Sequence, residues 1–358
     1  MHESIKKLLK TSPGLKGKEI AKKIGHNKKQ VNSHLYSNPD VFLRDDSYCW
    51  SLVPPPEIRI KFEENSWMDC DSFENSLLQS ETLIHGKNSA IYFVVPENCR
   101  ILLDAAARFL ALCNQFSDKG NAVTIDFSDC KETLSYFNRI GFIDHLDGNI
   151  VILPERPIAS SAIIYKGNND AVVEFGALNP HEVDKQLVNQ LTNCFVHQSD
   201  HKFEAAAFTV FSELIGNVSE HSETPIPGFA ALQKYRGKRE HIQTVISDSG
   251  LGIVETLKPA LKEHYPDIYK NLKSGDFDIQ LVINLLTKGG ISRFGAGRGL
   301  GFKSSREQTI KFDAKLSVRQ ENFSVCIEYM NGEIEKVSEK NNLQTIYGTH
   351  LCFDFFVD

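Results

Sequence analysis

Short apolar runs alternate with longer periodic ones along most of this chain, and their spacing predicts the elements. Residues 90–95, AIYFVV, and 121–127, NAVTIDF, are brief runs rich in β-branched and aromatic side chains, as buried strands are. Between them, ENCRILLDAAARFLALCNQF repeats its apolar residues at helical spacing, so the segment reads strand, helix, strand, a small α/β layer. CKETLSYFNRIGF adds a second helix and NIVILPE a closing strand. From AVVEFGAL (171–178) the rhythm changes to a strand, a long helix over 180–198 and a second long helix from near Phe203. Strands then follow in HIQTVISDSGLG, DAKLSVRQE, NFSVCIEYMNG and GTHLCFDFFV.

The first fifty residues are built differently. Three short helices, over 2–10, 17–24 and 28–37, precede VFLRDDSYCWSL, where Asp45-Asp46 turns between two β-rich arms. The prolines of SLVPPPEIR end this module, since they forbid helix and weaken any strand. Residues 57–75 are polar and acidic with little periodicity and read as a linker. The expected organisation is an N-terminal domain over 1–53, a linker over 54–78, an α/β unit over 79–158 and a C-terminal domain over 159–358, in all an α/β (α+β multidomain) chain.

Charge sharpens this division. The 358 residues carry a formal net charge of −6, which looks unremarkable until it is split by position. Residues 1–52 hold ten Lys and Arg against five acids, leaving 30 basic against 41 acidic side chains for the rest. A basic module on an acidic body points to a polyanionic partner for the N-terminus alone. The eight cysteines include no C-x-x-C pair and no short Cys/His spacing, which argues against a disulfide framework or a zinc site. MHESIKKLLK lacks the apolar core of a signal peptide, and no apolar run approaches the ~20 residues of a membrane helix, so a cytoplasmic location without a membrane partner is expected.

In the N-terminal module Asn27 is placed to cap the third helix, leaving Lys28, Lys29, Gln30, Asn32 and Ser33 on its first turns, with Arg44 in the arm that follows. Such side chains reach phosphates and base edges when a helix enters the major groove. The arrangement resembles winged helix-turn-helix domains, which implies DNA or a protein as its partner. A lysine-rich helical face is also what ordinary solvation produces.

The chemistry of the C-terminal domain starts in ELIGNVSEHSETPI, residues 213–226. His221 followed by Thr224-Pro225 invites comparison with a phosphoacceptor histidine. On a helix at 100° per residue, Phe208, Phe211, Leu214, Ile215 and Val218 form one apolar stripe, and Glu213, Asn217, Glu220 and His221 share a neighbouring arc. An acid and an amide four residues apart can share a small ligand, although the same pair is common on solvated helix faces. Three further features follow in order. VISDSGLGI runs an apolar strand into Asp248, with Gly250 and Gly252 beyond it, where glycine permits close approach or positive φ. GGISRFGAGRGLGFKSS is rich in glycine, including Gly297, Gly299 and Gly301, as a loop closing over phosphates would be, and YGTHLCFDFF sets Gly348-Thr349 at the start of a strand.

In this order, E-x-x-x-N, D-x-G-x-G, G-x-G-x-G and a terminal G-T resemble the boxes of the GHKL, or Bergerat-fold, ATPases, over residues 170–358. The resemblance implies ATP and Mg²⁺ as ligands. It implies that Asn217 ligates the metal, that Glu213 activates a water or hydroxyl, and that Asp248 accepts the adenine amino group. Gly250 and Gly252 would line the base, Gly297, Gly299 and Gly301 would wrap the phosphates, Arg298 would meet their charge, and Thr349 would support the adenine side. His221 shares the helix of Glu213 and Asn217, so it becomes a neighbour of the pocket in place of a phosphoacceptor. The E-x-x-x-N-x-x-x-H form is similar to the anti-sigma serine kinases, which act on STAS-domain proteins. The middle segment is itself loosely similar to STAS, with Ser135 where an acceptor serine would fall, although Leu134-Ser135-Tyr136-Phe137 departs from the Asp-Ser-Ser-Gly expected there. Three functions stay open at this point: a nucleotide-dependent switch, a Ser/Thr kinase for a regulatory protein, and a non-hydrolysing scaffold. A homodimer is among the partners expected.

Overall fold

The computed structural model describes residues 1–79, 89–179, 184–221, 224–237, 239–270, 277–288 and 313–357. The chain is a mixed α/β protein that divides into two compact units, Met1–Pro56 and Glu57–Asp358.

In the first unit, α1 (His2–Thr11), β1 (Leu15–Lys16), α2 (Gly17–Ile24) and α3 (Lys28–Tyr36) lead into the hairpin of β2 (Phe42–Arg44) and β3 (Cys49–Leu52). The three strands form an antiparallel sheet in the order β1-β3-β2. Ile5, Leu9, Ile20, Val31, Leu35, Phe42 and Trp50 make its core. Asn27 caps α3 as expected, its Oδ1 accepting the Lys29 N–H at 2.8 Å. Asp45 closes the hairpin by accepting the Cys49 N–H at 2.8 Å.

The second unit begins where a linker was expected. Glu57–Lys61 is a strand, β4, and after β5 (Trp67–Met68) comes a helix, α4 (Cys70–Leu78), capped by Asp69 through the Ser72 N–H at 2.9 Å. The apolar signal is short, Ile58 and Ile60 in the strand and Phe73 and Leu77 in the helix, and acids on either side obscure it, yet Ile60, Phe73 and Leu77 are fully buried. The chain continues through β6 (Ala90–Val94), β7 (Arg100–Ile101), α5 (Leu103–Asp118), β8 (Ala122–Asp126), α6 (Lys131–Arg139), α7 (Phe142–His145), β9 (Val151–Leu153) and α8 (Ser161–Ile164). Strands β4, β6, β8 and β9 lie parallel in that order, and β5 and β7 make a small parallel pair.

The rest of the unit is built on one seven-stranded sheet. Its elements are β10 (Val172–Leu178), α9 (Lys185–Gln198), a short 3-10 turn (His201–Phe203), α10 (Glu204–His221), β11 (Gly228–Tyr235), β12 (His241–Ser247), α11 (Gly252–His264), α12 (Pro266–Lys270), α13 (Phe277–Lys288), β13 (Ala314–Gln320), β14 (Phe323–Met330), β15 (Glu333–Lys340) and β16 (His350–Phe356). All neighbours are antiparallel, in the order β10-β11-β12-β16-β13-β14-β15.

One face of this sheet packs on α9, α10, α11 and α13 in a single apolar cluster. The other face packs on α5, so that Phe229, Ala231, Val245 and Cys352 share a core with the parallel layer. Coverage of both faces explains why β12 reads as a continuous buried run, whereas β14 alternates buried and partly exposed residues along its whole length. In α10 the apolar stripe holds for Phe211, Leu214, Ile215 and Val218, but Phe208 is 47% exposed and Val210 takes the buried place.

Candidate functional site

Beyond Ser247 the chain turns through Asp248-Ser249-Gly250-Leu251-Gly252 into α11, beside the turn Tyr347-Gly348-Thr349 that enters β16. Gly252 has φ +77° and Gly348 φ +96°, in the region that side-chain-bearing residues avoid. The two turns are pressed together: a Cβ on Gly348 would stand 2.1 Å from the Asp248 carbonyl oxygen, and one on Gly252 2.9 Å from Gln320 Oε1. The Asp248 N–H donates to the Thr349 carbonyl at 2.9 Å. Gln320 Oε1 in turn accepts the Ile253 N–H at 2.8 Å, which fixes the first turn of α11.

This backbone buries the Asp248 side chain to 7% exposure. Its Oδ1 accepts the Gly250 N–H at 2.7 Å, and the polar groups of Thr349 beside it also favour the ionised form. Burial outweighs these groups and pushes the carboxyl up to about 6. Above that pH the site holds a desolvated acceptor at the end of a strand, suited to an N–H of a ligand.

Behind the carboxylate, a second row of side chains fixes the turns. His350 Nε2 lies 3.1 Å from the Tyr347 carbonyl and Nδ1 2.6 Å from Ser247 Oγ. The carbonyl only accepts, so Nε2 carries the hydrogen and Nδ1 accepts from the serine. Burial first, then Arg319 and Arg108, hold the imidazole pKa well below its usual range, so it stays neutral. Gln115, from α5, donates through Nε2 to Ser249 Oγ and to the Tyr347 carbonyl, both at 2.9 Å, and its Oε1 accepts the Tyr347 N–H at 3.0 Å. Little in the sequence points to this row. His350 directly follows Gly348-Thr349, but nothing local marks Gln115, which comes from more than two hundred residues upstream.

Helix α10 brings the turn of Asn217 to the same end of the sheet, with Glu213 one turn earlier on the helix. A Cβ on Gly228 would lie 2.9 Å from Val218 Cγ1 and 3.0 Å from the Ser247 carbonyl oxygen, so the turn of α10 that carries Asn217 crosses the strand end from which Asp248 issues. Glu213 and Asn217 are half-buried, and Asn217 Nδ2 is fully buried with no hydrogen-bond partner. A buried amide left unpaired costs about 1–3 kcal/mol. Asp248, Gly250, Gly252 and Thr349 thus form one cluster with Asn217 at its border. The side chain of His221, and Gly297, Arg298, Gly299 and Gly301 with the rest of the glycine-rich loop, lie outside the described residues.

In the N-terminal unit Lys28, Lys29, Gln30 and Ser33 are exposed on α3. Asn32 is not displayed with them: a Cβ on Gly17 would stand 2.0 Å from Asn32 Oδ1, so this amide packs against the start of α2. Arg44 is exposed but held, its guanidinium donating to the Tyr36 hydroxyl and lying 4.7 Å from the centre of the Tyr48 ring.

Among the described residues no group of three or more His, Cys, Asp or Glu could hold a metal ion, and no helix is long and apolar enough to cross a membrane. All eight cysteines are free thiols. No family model, curated protein or solved structure matches the chain.

Proposed function

We propose that residues 170–357 form a GHKL-type, Bergerat-fold site for Mg·ATP, and that nucleotide binding switches the partner contacts of the chain. The observation that carries this reading is the buried Asp248 carboxylate, held among Gly250, Gly348 and Thr349 at the end of β12. An ionised acceptor there selects the exocyclic amine of adenine over the keto oxygen of guanine. The unpartnered amide of Asn217 fits a metal-bound phosphate on the neighbouring helix. Asn217 would hold Mg²⁺, which keeps several waters and takes phosphate oxygens when bound. Glu213, one turn earlier, would orient and deprotonate the attacking water or hydroxyl.

Titration of the purified protein with a fluorescent ATP analogue tests the site. We expect Mg²⁺-dependent binding, competed by ATP far better than by GTP, and at least tenfold weaker in both Asp248→Asn and Asn217→Ala. Absence of binding at millimolar nucleotide, or unchanged affinity in both variants, would sink the proposal.

We read the N-terminal unit as a winged helix that contacts DNA through Lys28, Lys29, Gln30 and Ser33. If it does, Lys28→Ala with Lys29→Ala lowers the slope of log affinity against log salt by about 2, near 0.9 per lost phosphate contact. A Ser/Thr kinase reading is favoured by the exposure of Ser135 on α6, in a parallel layer we read as STAS-like. Radiolabelled ATP separates the two: labelled protein supports the kinase, free phosphate alone the switch.

A further inference from the structure

We infer that Gln115 is a positioning residue through which the parallel layer sets the geometry of the Asp248 site. The inference rests on the nucleotide reading of that site and adds to it a route of control.

The contacts between the parallel layer and the large sheet fall into two groups. Most end on strands: the Leu103 N–H donates to the Tyr235 hydroxyl at 2.9 Å, the Asp104 N–H to Gln243 Oε1 at 3.1 Å, the Tyr136 hydroxyl to Gln233 Oε1 at 2.8 Å, and Arg108 to Ser317 Oγ at 3.3 Å. These bonds dock two rigid layers. Gln115 ends instead on the two turns that meet at Asp248. Both of its amide hydrogens and its oxygen are engaged, on Ser249 and on both polar atoms of the Tyr347 peptide, and the side chain is 4% exposed. Just past the end of α5, the Lys119 ammonium lies 3.9 Å from the centre of the Tyr347 ring.

Ser249 is flanked by Asp248 and Gly250, and Tyr347 stands two residues before Thr349. The Gly250 N–H donates to the Asp248 carboxylate at 2.7 Å, and the Thr349 carbonyl accepts the Asp248 N–H at 2.9 Å. One buried amide therefore ties together the two turns that frame the carboxylate. A displacement of α5, such as a protein docking on the parallel layer would produce, moves both turns at once. Loss of the amide takes away the partner that the Ser249 hydroxyl and the Tyr347 N–H have in Gln115 and leaves the Tyr347 carbonyl to His350 alone, so both turns relax at the expense of the site.

The test uses the full-length chain and Gln115→Met, which keeps length and packing but removes all three hydrogen bonds. We expect at least tenfold weaker binding of the fluorescent ATP analogue with folding retained by circular dichroism. In the nucleotide-free protein, amide exchange should accelerate at least tenfold across 249–252 and 347–349, with strand β14 unchanged. Ser249→Ala should weaken binding about threefold, and in the Gln115→Met background it should add nothing, since one bond cannot be lost twice. If Gln115→Met fails to fold, Ser249→Ala alone carries the test at its smaller expected size. Binding within twofold of wild type and unchanged exchange overturn the inference, and if Asp248→Asn still abolishes binding, the nucleotide reading survives that loss. If the wild-type chain binds no nucleotide, the nucleotide reading and the control of binding fall together, and the exchange data alone decide whether Gln115 holds the turns.

Discussion

The two faces of the seven-stranded sheet bury polar groups on opposite terms. On the face toward α5, charged and amide side chains are buried and engaged with one another. Glu74 accepts from Arg108 at 3.0 Å and in two-pronged fashion from Arg319 at 3.0 and 3.1 Å, while Arg319 also donates to the carbonyls of Gln320, Glu321, Gln344 and Ile346. Gln243, His350 and Gln115 complete that side. The face toward α9 and α10 is an apolar cluster, yet both unpartnered buried polar atoms found among the described residues belong to it: Asn217 Nδ2 and Thr244 Oγ1, the latter on β12 between Ile242 and Ile246. Asp248 follows on the same alternation. Satisfied polar networks fix a geometry, and groups left short of partners mark where a ligand or water is wanted. On the nucleotide reading proposed above, the first face positions the site and the second receives the ligand.

If the α5 face is a positioning network, cutting it is costly. Glu74→Ala strands two buried guanidinium groups, and we expect a loss of about 3–5 kcal/mol in urea unfolding at neutral pH. A loss below 1 kcal/mol would show that Arg108 and Arg319 do not depend on the carboxylate and would erase the contrast between the faces.

Asp248 should behave in the opposite sense. Its folded pKa, about 6, exceeds the ordinary value of 3.8, so the folded state holds a proton that the unfolded chain releases. The associated stability is present below about pH 4 and is lost as pH rises through 6. Near pH 7 the ionised carboxylate thus costs up to about 3 kcal/mol, at 1.36 kcal/mol per pKa unit. Asp248→Asn is expected to abolish adenine-nucleotide binding while raising stability at pH 7, with the advantage shrinking between pH 6 and pH 4. Nucleotide affinity of the wild type should fall as pH drops below 6, because only the ionised group accepts the amine. A destabilised Asp248→Asn, with wild-type stability flat from pH 4 to 7, would place the carboxylate among the structural groups instead.

How much of this was legible in the sequence follows from the range of each interaction. Asp248 and Thr349 occupy turns at strand ends beside Gly252 and Gly348, whose positive φ demands glycine, so local pattern marked these turns. Helical spacing likewise put Glu213 and Asn217 on one arc. The pattern misjudged Asn32, because its place is set by Gly17 on another helix, and Phe208, at the edge of the α10 stripe. It read β4 and α4 as a linker, because the apolar residues of each are too few and too close to acids to stand out. Gln115 and the Glu74–Arg319 pair were invisible, since nothing near them in sequence records what lies across the sheet. Local chemistry marks the receiving face, whereas the positioning face exists only once the layers are packed.

The smallest expected effect is the sharpest probe of the receiving face. Thr244 is fully buried, and Leu232 and Phe353 are its neighbours on the adjacent strands. Its hydroxyl lacks a partner, so replacing it with a methyl group of nearly the same size removes an unpaired polar group without opening a cavity. Thr244→Val should therefore raise stability by about 1 kcal/mol and leave nucleotide affinity within twofold, because Thr244 lies about 13 Å along the strand from Asp248. Should Thr244→Val weaken binding as Asn217→Ala is expected to, the hydroxyl belongs to the site, reached through an ordered water, and the receiving surface extends from the sheet end into the apolar layer itself.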